Sequence, residues 1–149
     1  MNEEADSLVV AFSTLDGFSI SKIHFGEAVQ FEIYRISAET SQKLESLINP
    51  HATEGHEAGS HHHHHPSDSK GSEKGAGIGH LLGQHGVQVM ISRSFGANIK
   101  RMRQRFVPVK IDADNVKTAV GLLQSNWDLV RSSWLQGADR KHVVLRTNA

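Results

Sequence analysis

The sequence lacks cysteine, which excludes disulfides, thiolate metal sites and a cysteine nucleophile. It also lacks net charge, because 16 basic residues balance 16 acidic ones, so overall charge gives no reason to expect nucleic acid or an acidic partner. No run of about 18 apolar residues occurs, and the opening MNEEADS has no apolar signal region. We therefore expect a soluble, cytoplasmic protein.

Motifs of hydrolytic enzymes are missing as well. The sequence contains no Gly-x-Ser-x-Gly elbow, no HExxH pair and no P-loop. The acidic residues near predicted strand ends, Asp16, Asp112 and Asp114, are typical of turns and helix caps. No pair of carboxylates is placed for acid–base or two-metal chemistry. The sequence therefore predicts a protein that is not an enzyme.

Hydrophobic patterns predict a single α/β domain over residues 1–132. Short apolar or alternating runs indicate strands, and apolar residues spaced three and four apart indicate helices. The predicted strands are 8–13, 30–37, 87–92 and 107–111. A first helix should start within 75–80 and stop near Gly86, and further helices are predicted at 98–106 and 116–129. Residues 41–48 fit either type of element. Because helices and strands alternate in the second half, part of the sheet should be parallel.

Two segments fall outside this pattern. Residues 50–74 have no hydrophobic periodicity and are rich in His, Gly, Ser, Glu and Pro, which predicts a disordered or mobile loop. This loop contains the five consecutive histidines 61–65. Residues 133–149 form a tail with a candidate extra strand at 142–146, whose place in the fold the pattern does not give.

Two loops carry the first candidate binding residues. His24 lies between two predicted strands, and Gly26 allows a ligand to approach the backbone closely. A lone loop histidine is, however, more often simply exposed than a ligand. The glycines of GAGIGH, residues 75–80, precede a predicted helix, where free backbone N–H groups can hold an anion. Close packing of that helix is the alternative reason for glycine there.

The turn after the predicted strand 87–92 is the third candidate. Ligands collect at the carboxyl ends of strands in open α/β sheets, so Arg93, Ser94 and the N–H groups of residues 96–98 are candidates for binding an anion. The predicted helix that follows has a basic face, which is either a solvated surface or one that binds an anion. The basic face consists of Lys100, Arg101, Arg103 and Arg105, and it lies opposite the apolar residues Ile99, Met102 and Phe106. Nucleic acid is disfavoured, because aromatic residues are not interleaved with the basic ones.

Several motifs together resemble a known family. They are LVVAFST, HFGEA, FEIYRI, NPH, a His- and Gly-rich segment, GAGIGHLLGQHGVQVMIS, a glycine turn and VPVKID, and they cover residues 8–123. The combination resembles the dinitrogenase iron–molybdenum cofactor biosynthesis family, the small NifX-like domains. The resemblance implies a ribonuclease-H-like α/β fold, a mixed sheet of roughly five strands with helices on both faces, and no nuclease activity. It also implies binding or carriage of metal–sulfur clusters, including cofactor precursors, and exchange with donor or acceptor proteins.

The resemblance assigns cofactor binding to residues that match its motifs. His24, Phe25 and Gly26 match the HFG motif, and Gly96 matches a glycine turn. That turn is usually glycine-rich, whereas the chain has Arg-Ser-Phe at 93–95, side chains that would narrow a pocket or supply an anion contact. The expected cofactor-binding residues are His24, Phe25, Gly26, Gly75, Gly77, Arg93, Ser94 and Gly96, and Gly79 matches a further family glycine.

Histidines supply the expected metal ligands. His24 would give a cluster one exchangeable bond. Family members often carry a mobile His- or Gly-rich segment after NPH, so the run at 61–65 is interpreted as native rather than as a purification tag. Neutral imidazoles there would bind Zn, Ni, Cu or Co above about pH 6.5, where free imidazole loses its proton. The expected metal ligands are His24, His51, His61, His62, His63, His64 and His65.

Three functions are therefore open to a monomer or homodimer of this chain. The first is non-catalytic carriage of an iron–sulfur or iron–molybdenum type cluster. The second is a mononuclear metal-binding protein that uses the histidine segment. The third is an interaction or regulatory domain without a cluster, whose Arg93 and basic helix face a protein or an anionic ligand.

Overall fold

A mixed six-stranded sheet forms the centre of the computed structural model, which describes residues 7–50, 77–96 and 99–147. The strand order is β3-β2-β1-β4-β5-β6. β2 is antiparallel to both β1 and β3, whereas β1, β4, β5 and β6 run parallel to one another. The strands are β1 (Leu8–Thr14), β2 (Gln30–Ile36), β3 (Ser41–Ile48), β4 (Val89–Ser92), β5 (Val107–Ile111) and β6 (Val143–Leu145).

Four described helices accompany the sheet. They are α1 (residues 77–84), α2 (Ile99–Met102), α3 (Val116–Ser125) and α4 (Trp127–Leu135), with short 3-10 turns at Phe25–Glu27 and Gly137–Asp139. α1 ends as the sequence predicts, because Gly86 adopts φ +73° and the N–H of Val87 bonds back to the carbonyl of Leu82 at 3.1 Å. α3 begins at Asn115, whose side-chain oxygen accepts from the N–H of Thr118 at 2.8 Å.

The two faces of the sheet bury separate apolar clusters, because successive strand residues point to opposite faces. The first cluster joins the sheet to α3 and α4 and includes Val10, Phe12, Ile91, Leu123 and Trp127. The second joins the other face to α1 and to the 3-10 turn at Phe25–Glu27, and it includes Ala11, Phe31, Met90, Ile78 and Leu82. The expected α/β class is confirmed, and helices lie against both faces.

The structure corrects several expectations about the elements. The described sheet has six strands instead of roughly five, because residues 143–145 of the tail pair in parallel with β5. Residues 41–48, which fit either a helix or a strand, form β3. The helix expected at 98–106 is shortened to the four residues of α2, and the helix expected at 116–129 is divided at Asn126 into α3 and α4.

Arg140 attaches the tail to the rest of the fold. The residue is only 3% exposed, and its guanidinium donates to the carbonyls of Ser133, Trp134, Arg103 and Phe106 at 2.9–3.4 Å. It also lies 4.9 Å from the centre of the Trp134 ring. Burial lowers the pKa of Arg140, but the four carbonyls compensate for the lost hydration. The end of α4 and the approach to β5 are thereby held together.

Helices long and apolar enough to cross a membrane are absent from the part of the chain that the structure describes.

Candidate functional site

The HFG loop, residues 22–28, lies beyond the carboxyl end of β1. His24 immediately precedes the 3-10 turn Phe25–Glu27, and its carbonyl accepts from the N–H of Glu27 at 2.9 Å. Its side chain does not cap this turn, and the residue is exposed. Because β4 and β5 run parallel to β1, their carboxyl ends meet at the same edge of the sheet. This is the edge at which open α/β sheets bind ligands.

The turn at 93–96, which follows β4, is bonded directly to the HFG loop. The N–H of Phe25 donates to the carbonyl of Ser94 at 3.0 Å. The Phe25 ring is fully buried and stacks on Phe95, with ring centres 5.5 Å apart and planes 20° apart. It also contacts Phe31, with ring centres 4.9 Å apart. Two segments that are distant in sequence are therefore joined by one backbone bond and an aromatic stack.

The His24 ring lies against the backbone of Gly96. A Cβ atom at position 96 would be 3.0 Å from Nδ1 of His24 and 3.5 Å from its Cγ and Cε1. Such a contact is closer than side-chain carbons normally adopt, so a larger residue would push the imidazole away. The ring edge that contains Nδ1 faces the turn, and Nε2 lies on the opposite edge of the ring. The glycine at position 96 thus sets the position of the imidazole.

Asn49 is hydrogen-bonded to the backbone of the HFG loop. It is 1% exposed, and its side-chain amide donates to the carbonyls of Gly26 at 2.9 Å and Ala28 at 2.8 Å. Its backbone N–H donates to the carbonyl of Val29 at 3.0 Å. These bonds satisfy carbonyls that the irregular loop leaves without partners in a helix or sheet. Asn49 therefore fixes the path of the loop that carries His24.

The beginning of α1 is the third segment at this edge. Gly77 is the first described residue of the helix, and the next residue, Ile78, is fully buried in the second cluster. A Cβ atom at Gly26 would lie 3.8 Å from Cγ1 of Ile78, an ordinary van der Waals distance. The HFG loop, the turn at 93–96 and the first turn of α1 therefore meet at one place. Most of the expected site is brought together in this way, namely His24, Phe25, Gly26, Gly77, Ser94 and Gly96.

Arg93 and Ser94 already use groups that were expected to bind an anion. Nη1 of Arg93 lies 2.7 Å from a carboxylate oxygen of Asp114. The N–H of Ser94 donates to Oγ of Ser92 at 3.3 Å. Moreover, the first N–H of α2, at Ile99, donates to the carbonyl of Gly96. Of the groups expected to bind an anion, Arg93 is thus already paired within the fold, and the N–H groups of residues 97 and 98 lie outside the described residues.

Acidic residues near the strand ends act as structural groups, as their sequence positions suggest. Oδ1 of Asp16 accepts from the N–H groups of Ser19 at 2.7 Å and Phe18 at 3.0 Å, and these bonds lower the pKa of Asp16. Asp112 accepts from the N–H of Thr147 at 2.7 Å. Within the described ranges, no three His, Asp or Glu side chains are grouped as metal ligands. Gly75, His51 and the histidines 61–65 lie outside the described residues.

Sequence reasoning overlooked three residues of this edge: Asn49, Phe95 and Asp114. The tripeptide NPH contributed to the family resemblance, but nothing local indicated that its asparagine bonds to a loop more than 20 residues earlier. Phe95 was noted only as a departure from glycine. Its stacking on Phe25 depends on the two segments meeting in space.

Charge is distributed unevenly along the chain, although its total is zero. Residues 74–111 contain seven of the 16 basic residues and none of the 16 acidic ones. We call this range the acid-free stretch. It supplies α1, the turn at 93–96 and α2, which accompany the second apolar cluster. Within it, Arg93 follows the carboxyl end of β4, whereas Arg103 and Arg105 come just before the amino end of β5, at the opposite edge of the sheet.

Comparison with known proteins agrees with the motifs. No curated protein matches the chain. The family model for dinitrogenase iron-molybdenum cofactor proteins matches residues 6–126, which include all three segments that meet at His24. The chain therefore belongs to the dinitrogenase iron-molybdenum cofactor family.

Proposed function

We propose that this protein binds and carries an iron–molybdenum type metal–sulfur cluster without catalysing a reaction, and that His24 gives the cluster one exchangeable bond. The observation that carries this proposal is the position of His24. Its imidazole is exposed, rests on Gly96 and lies where three segments of the family-matched range meet. An exposed ring in a fixed position can accept a large ligand without rearrangement of the fold.

The charge around the site suits such a cargo. Sulfide-bridged clusters are generally anionic, and Gly96, which lies beside His24, belongs to the acid-free stretch. The chain has no cysteine, so no thiolate is available to retain a cluster strongly. A single imidazole without a thiolate gives binding that a partner can reverse. Weak, reversible binding is what delivery from a donor protein to an acceptor protein requires.

The sheet supports the finer assignment of the fold. We place the chain in the ribonuclease-H-like architecture, because β2 is the only described strand that runs against the others in the order β3-β2-β1-β4-β5. β6 then extends the sheet beyond β5. Nucleases share this architecture. The fold alone therefore does not specify the function, which has to be argued from the chemistry of the site.

A second candidate function is binding of a bare metal ion, such as Zn or Ni, by the histidine segment. One observation favours it. Described residues close to both ends of that segment lie against the HFG loop: Asn49 bonds to Gly26 and Ala28, and Ile78 packs beside Gly26. A tether whose two ends are this close to His24 raises the local concentration of imidazole there. An interaction domain without any metal cargo is the third candidate.

Anaerobic reconstitution tests the first proposal. The wild-type protein is mixed with iron, sulfide and molybdate, and the visible spectrum and bound metals are measured. His24→Ala is the test variant. His142→Ala is the matched control, because His142 is also exposed but lies just before the edge strand β6. A third variant replaces the histidines 61–65 by serine.

The outcomes separate the three candidates. A chromophore in the wild type and in His142→Ala, but not in His24→Ala, is expected for a cluster carrier. Uptake of metal without a chromophore, lost only when the histidines 61–65 are replaced, would instead support the bare-metal protein. If no variant takes up metal, the cluster proposal fails and the interaction domain is favoured.

A further inference from the structure

Two glycines on α1 form a seat for Arg105. Gly79 and Gly83 are four residues apart and therefore lie on the same side of the helix. A Cβ atom at Gly79 would be 3.7 Å from Nη1 of Arg105, and one at Gly83 would be 3.1 Å from Nη2. The planar guanidinium thus lies close along the helix surface, with one nitrogen over each glycine. A side chain at position 83 would have to displace it.

The backbone that carries Arg105 is fixed as well. The carbonyls of Arg103 and Phe106 accept from the buried guanidinium of Arg140, at 3.0 and 3.4 Å. Phe106 is 3% exposed, and Cζ of Arg105 lies 5.4 Å from the centre of its ring. The backbone of Arg105 is therefore fixed by Arg140, and its guanidinium is fixed by packing against Gly79 and Gly83. An arginine that is already ordered loses less conformational entropy when it binds an anion.

Within the described parts of the chain, Arg105 has no carboxylate partner. The ion pairs found there join Lys43 to Glu32, His85 to Glu45, and Arg93 to Asp114. Arg105 is exposed, and it lies in the acid-free stretch together with Lys100, which is also exposed. The fold thus positions a guanidinium at the surface without a carboxylate to neutralise it.

We propose that this arginine seat (Gly79, Gly83 and Arg105) is a docking point for the acidic surface of a protein partner. The fork of N–H groups on a guanidinium matches a carboxylate in bidentate geometry. Single-stranded nucleic acid would require exposed aromatic rings for base stacking. The aromatic residues of the acid-free stretch are instead used inside the fold, Phe95 by stacking on Phe25 and Phe106 by burial. The docking point does not depend on His24 and holds whether or not the cluster proposal does.

A charged peptide tests this inference. Hexaglutamate is titrated into the 15N-labelled full chain, and the backbone amide shifts are recorded. Amides near 79–83 and 103–106 are expected to move, and Arg105→Gln should weaken binding about fivefold. Lys117→Gln is the matched control, because it removes one exposed charge from α3, against the other face of the sheet. It should leave the affinity unchanged within about a factor of two.

A second pair of variants separates geometry from charge. Gly83→Ala keeps every charge but places a methyl group against Nη2 of Arg105, so hexaglutamate should bind about threefold more weakly. Gly121→Ala makes the same change in α3, where a Cβ atom would meet nothing within 4 Å, and binding should not change. Thermal unfolding is measured for each variant to check that it is folded. If Arg105→Gln is unfolded, the affinity of Gly83→Ala for hexaglutamate tests the proposal instead.

Three results would overturn the proposal. Equal binding by Arg105→Gln and Lys117→Gln would mean that charge anywhere on the chain suffices. Inorganic phosphate that produces the same shifts at the same concentration would indicate a small-anion site. Tighter binding of a short oligothymidylate than of hexaglutamate would identify nucleic acid as the partner.

Discussion

The layers on the two faces of the sheet differ in construction. α3 and α4 form a regular layer, in which Asn115 caps the first helix and an apolar stripe including Val116, Ala119 and Leu123 packs on the first cluster. The other layer consists of α1, the short α2, the HFG loop and the turn at 93–96, and most of it comes from the acid-free stretch. In it, glycines admit His24 and Arg105 close to the backbone.

This difference in construction indicates which of the two layers can be specialised for binding. Regular helices satisfy their own backbone groups, so α3 and α4 need few specific side chains beyond an apolar stripe. Loops must have their carbonyls satisfied individually, which is why Asn49 is buried beneath the HFG loop. Loops held in this way expose particular side chains in fixed positions, and these are the usual carriers of function.

Removing a buried leucine from each layer tests the comparison most strongly. Leu82 and Leu123 are both fully buried, one in each cluster. Each substitution by alanine should reduce the free energy of unfolding by about 2–5 kcal/mol, measured by urea denaturation. Only Leu82→Ala should also shift the NMR signals of the His24 ring, because α1 adjoins the HFG loop. Equal shifts in both variants would show that the layers are not independent.

Glu32 is a fully buried charged residue on the face covered by α3 and α4. Burial would raise the pKa of Glu32, but hydrogen bonds from Ser46, Gln30, Lys43 and Thr14 outweigh it, so the pKa lies below its ordinary value. The carboxylate therefore stabilises the fold above the ordinary glutamate value of 4.5, and this contribution is lost as pH falls through the lower folded value.

Replacing Glu32 measures that contribution. Glu32→Gln should cost about 1.5–3 kcal/mol at neutral pH, because bonds to a charged acceptor become bonds to a neutral amide. The variant should also lose part of the decrease in stability that the wild type shows below about pH 4.5. Urea denaturation at several pH values measures both effects. An unchanged pH profile would mean that Glu32 is not the group responsible.

Asn49 tests how firmly the layer that carries His24 is held. Asn49→Ala leaves the carbonyls of Gly26 and Ala28 without their side-chain donor, and it should cost about 1–3 kcal/mol in the free energy of unfolding. Hydrogen exchange should accelerate in the HFG loop. Asn126→Ala removes one side-chain bond, to the carbonyl of Leu122, from the other layer. It should cost less and leave exchange in the loop unchanged, and the reverse order of effects would contradict this account.

The smallest effect on stability is expected from alanine at glycine positions. Gly121→Ala, in open space on α3, should stabilise the protein by about 0.5–1 kcal/mol. Gly96→Ala should change stability by no more than about 1 kcal/mol, yet it should displace the His24 imidazole, which 15N NMR of the ring detects. If the ring signals of His24 are the same in Gly96→Ala and Gly121→Ala, the turn does not position the histidine.

The sequence predicted the elements with strong local patterns. β1, β2, β4 and β5 follow their apolar or alternating runs, and α1 ends at the glycine expected to end it. Elements with weaker patterns were decided by tertiary contacts. β3 is mostly exposed and is a strand because β2 offers it an edge, and β6 has only three residues, held beside β5. In α2, the spacing of Ile99, Met102 and Phe106 suggested a longer helix than the packing around Arg140 and Phe106 permits.

Family membership and the match of His24 to the HFG motif follow from the sequence alone, because motif residues keep their order along the chain. The surroundings of His24 do not. That Gly96 supports its ring, that Asn49 holds its loop and that Arg93 is paired with Asp114 all depend on residues more than 20 positions apart. Local sequence patterns report the periodicity of one element, whereas a site assembled from loops depends on how the sheet brings those loops together. The tertiary structure alone determines that arrangement.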